Sequence, residues 1–269
     1  VSAVSTATSF DLTEARASRQ RLVAAELLKV TSTKMWLGFL VGVVLYIGIG
    51  VVAVVFTPAQ PGVDIPALET EAGIRNLFGQ SAGAYVFAIV LGALGMTQEI
   101  RHQTLTSTFL AEPRRNRVMV AKMAAYGVVG AIYGAVGVVF GFALTLALLP
   151  FKDHADIPWT GLWQIAGGAV LSCALFAILG VAAGTLIRNQ IAAILLILVW
   201  VLLVETLVVA FLPAWGKWLP GGAVAGVLQS TGFGGAGYLD VWQASLVLIG
   251  YAVAFGAIAA LTTQRRDVT

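Results

Sequence analysis

Residues able to do chemistry are sparse in this chain, and most of them gather in residues 97–122, TQEIRHQTLTSTFLAEPRRNRVMVAK. This stretch carries Glu99 and Glu112, the bases Arg101, Arg114, Arg115, Arg117 and Lys122, and His102. None of them stands at catalytic spacing. His102 and His154, the two histidines of the chain, lie far apart with no HExxH around either, so a histidine-based zinc site cannot be built. There is no GxxxxGK[ST] phosphate loop, because Gly216-Lys217-Trp218 lacks the rest of the motif, and no GxSxG elbow. The expectation is a chain that is not an enzyme, with no catalytic residue, no metal ligand and no cofactor of its own. A second point of interest is Glu205, the one acid inside an apolar block, with Trp200 five residues before it. It falls about 10 Å below the outer end of its helix, at about 1.5 Å per residue. An acid there costs a few kcal/mol unless it faces protein or a water-filled cavity. Glu205 and Trp200 therefore read either as a substrate path or gate, or as a structural carboxyl group, ionised or protonated, bonded to a neighbouring helix. A proton relay needs more such groups than this one.

The elements that must position these residues are long apolar helices. Hydrophobic residues make up 59% of the 269 and charged ones 11%, against about 25% in ordinary soluble domains. The apolar residues fall in six blocks, 35–56, 77–96, 123–149, 162–187, 191–212 and 241–262, each close to or above the ~20 residues a helix needs to cross the hydrocarbon core. The predicted fold is an all-α integral membrane protein: a cytosolic segment over 1–34, a six-helix membrane domain over 35–263 and a short tail over 264–269. With the N-terminus inside, only Arg75, Lys152 and Lys217 of the sixteen Lys and Arg residues lie outside, so the positive-inside rule places both termini in the cytosol. Residues 97–122 are then a cytosolic loop. Trp159, Trp163, Trp215, Trp218 and Trp242 fall at outer boundaries and Trp36 at the inner one, as an aromatic belt requires.

Shorter features complete the outline. Residues 14–33 read as a helix lying on the inner leaflet, with Leu22, Val23, Leu27 and Val30 on one face and Arg21 and Lys29 pointing away; the alternative is a plain extension of the first span. The first outer loop, 57–76, is expected to be irregular, with one turn near Glu69. The outer segment 213–240, half apolar and ending in the glycine-rich run 232–237, is expected to dip into the outer leaflet as a broken piece. Gly127, Gly130, Gly134, Gly137 and Gly141 form one stripe on the third span, where small residues let helices approach closely. They serve either packing within the bundle or a sliding or dimer surface. Gly38/Gly42 and Gly180/Gly184 are weaker pairs of the same kind. The single Cys173 lies within the fourth span, so no disulfide framework exists.

Within the loop, 101–111 has room for about three helical turns, with Leu105, Phe109 and Leu110 as apolar contacts, before Pro113 ends the helix. A loop needing only solubility would not require that apolar face. Glu99 just after the second span, Thr104 five residues on, Phe109-Leu110, Pro113, then Arg117 and Lys122 entering the third span give a pattern that resembles the permeases of the ABC type-2 transporter family. The family often has glycine before that threonine, where this chain has Gln103. The Ala-, Val- and Gly-rich style is similar to that of actinobacterial members.

The resemblance implies a transmembrane subunit of an ABC exporter in the plasma membrane of a bacterium. A second permease subunit would pair with it, identical or a sibling, and two separate ATPase subunits using ATP and Mg would dock below. The loop helix, with Glu99, Arg101, Thr104, Leu105, Phe109, Leu110 and Pro113, would be the coupling helix seated in the ATPase. Arg114, Arg115, Arg117 and Lys122 would meet headgroups at the inner rim, and no nucleic acid is involved. Hydrophobic or amphipathic cargo of the drug or antibiotic kind is expected. Lipid or polysaccharide export, a non-transporting sensor or assembly subunit with the same fold, and an unrelated secondary transporter or channel are the alternatives.

Overall fold

A computed structural model describes residues 19–57, 66–230 and 239–265. The expectations for the N-terminal tail, the glycine-rich run 232–237 and the last residues of the C-terminal tail lie outside them. Every element among the described residues is helical. In chain order these are α1 (Arg19–Ser32), α2 (Met35–Phe56), α3 (Glu71–Gly79), α4 (Ala84–Arg101), α5 (Thr104–Ala111), α6 (Arg115–Leu148), α7 (Trp159–Ile187), α8 (Gln190–Leu198), α9 (Glu205–Phe211), α10 (Pro213–Gly216), α11 (Pro220–Leu228) and α12 (Val241–Arg265). A 3-10 turn, Gln80–Gly83, joins α3 to α4, and a π-helical stretch, Val199–Val204, joins α8 to α9. Six helices among the described residues are long and apolar enough to cross a membrane, one for each block read from the sequence.

Four helices run three or more residues beyond their apolar blocks, α7 among them, which begins at Trp159 rather than at residue 162. The second span begins at Glu71 rather than at residue 77. Thr70 caps it, its hydroxyl accepting from the Gly73 amide at 3.1 Å, and Glu71 complements the positive end of the helix. The irregular loop expected over 57–76 is thus shorter than predicted. The third begins at Arg115, since nothing after Pro113 breaks the helix and arginines are good helix formers. Lys122 therefore sits two turns inside α6 and is only 1% exposed. The sixth extends to Arg265.

The spans divide by burial. In α4 and α7, 78% and 61% of the most apolar stretch is buried, against 17 to 33% in the other four. These two helices form the centre, and glycine is the reason they can. A Cβ at Gly180 would strike the Ile89 carbonyl, one at Gly92 the Ala177 carbonyl, and one at Gly184 would come within 2.6 Å of the Ala93 carbonyl. The pair Gly180/Gly184 thus marks the tightest crossing. The glycine stripe of α6 also serves packing within the bundle. Gly130 and Gly134 lie on the backbone of α7 at Cys173 and Val170, Gly127 meets Ile178, and Gly137 and Gly141 meet Ser81 and Ile47. Gly38 has open space beside it.

Hydrogen bonds tie the two ends of the bundle. At one end, called here the basic end, the Arg101 guanidinium donates to Gln190 Oε1 at 3.2 Å and that of Arg115 to the Thr263 carbonyl at 3.0 Å. At the opposite end Arg75 donates to the Gln229 and Leu228 carbonyls at 3.1 and 3.3 Å, closing the C-terminus of α11. Gln164 donates to the Val227 carbonyl at 3.1 Å. Helix α11 is therefore packed into the bundle, with Ala223, Val224, Val227 and Leu228 buried, whereas Pro213, Ala214 and Trp215 of α10 are exposed.

Candidate functional site

Two buried polar sites stand out, one at the basic end and one around Glu205. The first is a ring of four charges. Lys29 Nζ lies 2.6 Å from Glu26 Oε1 and 2.9 Å from Glu99 Oε1. Lys122 Nζ lies 2.9 Å from the same Glu99 oxygen and closes the ring on Glu26 Oε2. Acids and bases alternate, so the ring is neutral, and it joins α1, α4 and α6. Glu26, Glu99 and Lys122 are buried, while the Lys29 side chain is 44% exposed. Burial alone would disfavour the Lys29 ammonium, but hydrogen bonds and charge from Glu26 and Glu99 outweigh it and raise its pKa above the ordinary lysine value. The second oxygen of Glu99 has no hydrogen-bond partner among the described residues.

Local sequence explains the approach. Gly95, one turn before Glu99 on α4, leaves its Cβ position to the Tyr126 hydroxyl, one turn after Lys122 on α6. The two helices therefore close enough for Glu99 and Lys122 to meet. On α1, Glu26 stands among Leu22, Val23, Leu27 and Val30, the face turned to the bundle, so its carboxylate is carried inward. Sequence reading singled out Glu99 and Lys122 but missed Glu26, and Lys29, expected to point away, reaches into the ring. An acid on the apolar stripe of an otherwise amphipathic helix was the available signal.

The short helix α5 hangs beside this ring. Leu105 and Phe109, one turn apart, are buried at 6% and 9% exposure, and the Arg115 guanidinium covers the Phe109 ring at 5.4 Å. Leu110 points the other way and is 80% exposed. The three apolar contacts assigned to one docking face are thus split, two onto the bundle and one outward. Thr104 opens the helix, and Arg101 precedes it as the last residue of α4. Pro113 lies in the link to α6, where Arg114 stands at the N-cap position and Arg115 and Arg117 begin the helix. Thr108 Oγ1 is 3.5 Å from Lys29 Nζ, which links α5 to the ring. Gln103, just before the helix, has φ 56° and ψ 21°, the left-handed region where glycine is least strained.

The second site is built by the π-helical stretch. In an α-helix residues advance about 100° each, so Trp200 and Glu205 would stand about 140° apart. The i→i+5 geometry of a π-helix stacks residues five apart. The Trp200 indole N–H accordingly donates to Glu205 Oε1 at 2.7 Å, and the Gly221 amide at the start of α11 donates to Oε2 at 2.7 Å. Glu205 is 3% exposed. Its two known partners are neutral donors, and among the described residues no Lys, Arg or His lines the adjoining cavity of about 390 Å³ between α7, α8–α9 and α12. Of the two readings of Glu205, the bond to a neighbouring element is present, and so is the cavity.

Neither site holds a nucleophile beside a base, and no cluster of metal-ligating side chains occurs among the described residues. The ring can lock three helices together; the Glu205 carboxyl, held by two neutral donors, borders a cavity with aromatic walls. Compared with known proteins, the chain matches no family model and no curated sequence.

Proposed function

We propose that the chain is the membrane-spanning permease subunit of an ATP-driven exporter of the ABC type-2 kind. It would pair with a second permease subunit and two separate ATPase subunits, in the plasma membrane of a bacterium with both termini in the cytosol. Its α1 would lie on the inner leaflet, and α10–α11 would dip into the outer one. The observation that carries this reading is α5: a short helix at the basic end, its inner face anchored by Leu105 and Phe109 and its outer face free with Leu110 exposed. Such a helix can transmit a push from an external partner, because its buried face moves with the bundle. The contact from Thr108 to Lys29 and the ring beyond it carry that push to α1, α4 and α6. The spans would then switch as rigid bodies between two states set by nucleotide in the ATPase. Gln103 adds support, since its left-handed backbone falls where the resemblance leads one to expect glycine.

The test is Leu110→Asp in the tagged full chain. The wild type retains an ATP-hydrolysing partner on purification from native membranes; the variant loses it while its thermal unfolding is unchanged. Full retention of partner and transport in Leu110→Asp counts against α5 as the coupling element. Aspartate at Leu105 or Phe109 is the poorer probe, since both side chains also pack the bundle.

A further inference from the structure

The geometry points to the cavity beside Glu205 as a binding site for a lipophilic monovalent cation, a bulky organic ammonium or phosphonium. Four aromatic side chains wall it, Phe176, Trp200, Tyr251 and Phe255, with Leu179 among the aliphatic remainder. One carboxylate, Glu205, borders it. Aromatic faces attract cations through the ring quadrupole, and an aromatic cage is a general means of holding a quaternary centre. The volume of about 390 Å³ lies within the range of small-molecule sites.

The carboxylate decides the sign of the charge. A carboxylate offers about four acceptor positions. Trp200 and Gly221 use one on each oxygen, and both are neutral donors. Acceptor capacity remains, with no lysine, arginine or histidine among the described lining residues to pair with the acid. Glu99 provides the contrast, its charge already met by two lysines. The same indole that orients the carboxylate also lines the cavity, so the acid and one cage wall are fixed to each other. A cation with apolar substituents satisfies both the charge and the walls. A hydrated inorganic ion would leave the walls unmatched, and a neutral apolar molecule the charge. As cargo, such a ligand rests on the export reading; as a ligand, it does not.

Binding of radiolabelled tetraphenylphosphonium to the purified full chain in phosphatidylcholine nanodiscs, without ATPase or nucleotide, tests the site. Saturable binding is expected, at least tenfold weaker in Glu205→Gln and at least tenfold weaker for neutral triphenylphosphine oxide. Should Glu205→Gln fail to fold, Phe255→Leu keeps the acid and removes one cage wall at a half-exposed position. It is expected to weaken the phosphonium severalfold and leave the neutral compound unchanged. Equal affinity for cation and neutral compound would mean a groove for acyl chains and overturn the proposal. So would an absence of saturable binding up to about 1 mM, the result if a second copy of the chain covers this face. Saturable binding with no ATP-driven transport of the phosphonium counts against the export reading and leaves the site standing. Transport indifferent to Glu205→Gln does the reverse.

Discussion

Glu99 and Glu205 are both buried acids of this bundle, yet they keep opposite company. Glu99 shares one oxygen between Lys29 and Lys122, and Glu26 balances the second positive charge. Glu205 is held by an indole and a backbone amide. In the first site the charge is cancelled by side chains on three different helices, so the site fastens those helices together. In the second the carboxyl is oriented by neutral donors rather than paired with a base, and a cavity stands next to it. A buried acid with its own bases is a joint; one with only neutral donors beside an open space is a receptor.

The comparison breaks most visibly at the joint. Lys122→Met leaves two carboxylates facing one partly exposed lysine and should cost about 3–5 kcal/mol, seen as a large fall in unfolding temperature in detergent. Adding Glu26→Leu removes the excess carboxylate and should restore part of the loss; an additive result would mean the ring is not one unit. At the receptor the expected effect is smaller. Glu205→Gln keeps one acceptor and leaves one of the two donors unpaired, a loss of about 1–3 kcal/mol in the same measurement. A loss as large as that of Lys122→Met would make Glu205 a structural joint as well.

Two finer changes sharpen the contrast. Lys29→Met should cost about 1 kcal/mol or less, since the side chain is nearly half exposed and solvent screens it. Its pKa is raised by folding, so its contribution is complete below the ordinary lysine value, about 10.4, and fades as pH rises through the raised one. Wild-type unfolding temperature should therefore fall faster above that pH than that of Lys29→Met. Gln103→Gly touches neither acid. It relieves a left-handed residue, up to about 1–2 kcal/mol, and loosens the unfolded chain by somewhat less, so a gain of about 1 kcal/mol or below is expected.

The six spans were legible because a run of about twenty apolar residues has few other uses. Their true starts at Glu71 and Arg115 were not, since a helix continues past its apolar part until a cap or a proline stops it. Glu205 was legible as a misfit in composition and Glu99 as part of the loop pattern, but most of their partners were not. Glu26 and Lys122 are ninety-six residues apart, and Gly221 donates through a backbone amide that no side chain announces. Leu105, Phe109 and Leu110 were read as one face. The first two are spaced i and i+4 and share a side, whereas Leu110 is rotated about 100° from Phe109. The bundle claimed the shared side first.

The π-helical stretch Val199–Val204 has a consequence for chain length. Such a turn amounts to one extra residue in an otherwise regular helix. Deleting a single residue there would let α8 and α9 join as one α-helix and would turn everything after it by about 100°. Glu205 would swing away from Trp200 and from Gly221 with its composition untouched. The site is therefore written in the reading frame of the helix as much as in its letters, and a one-residue deletion could erase it where most substitutions would only weaken it.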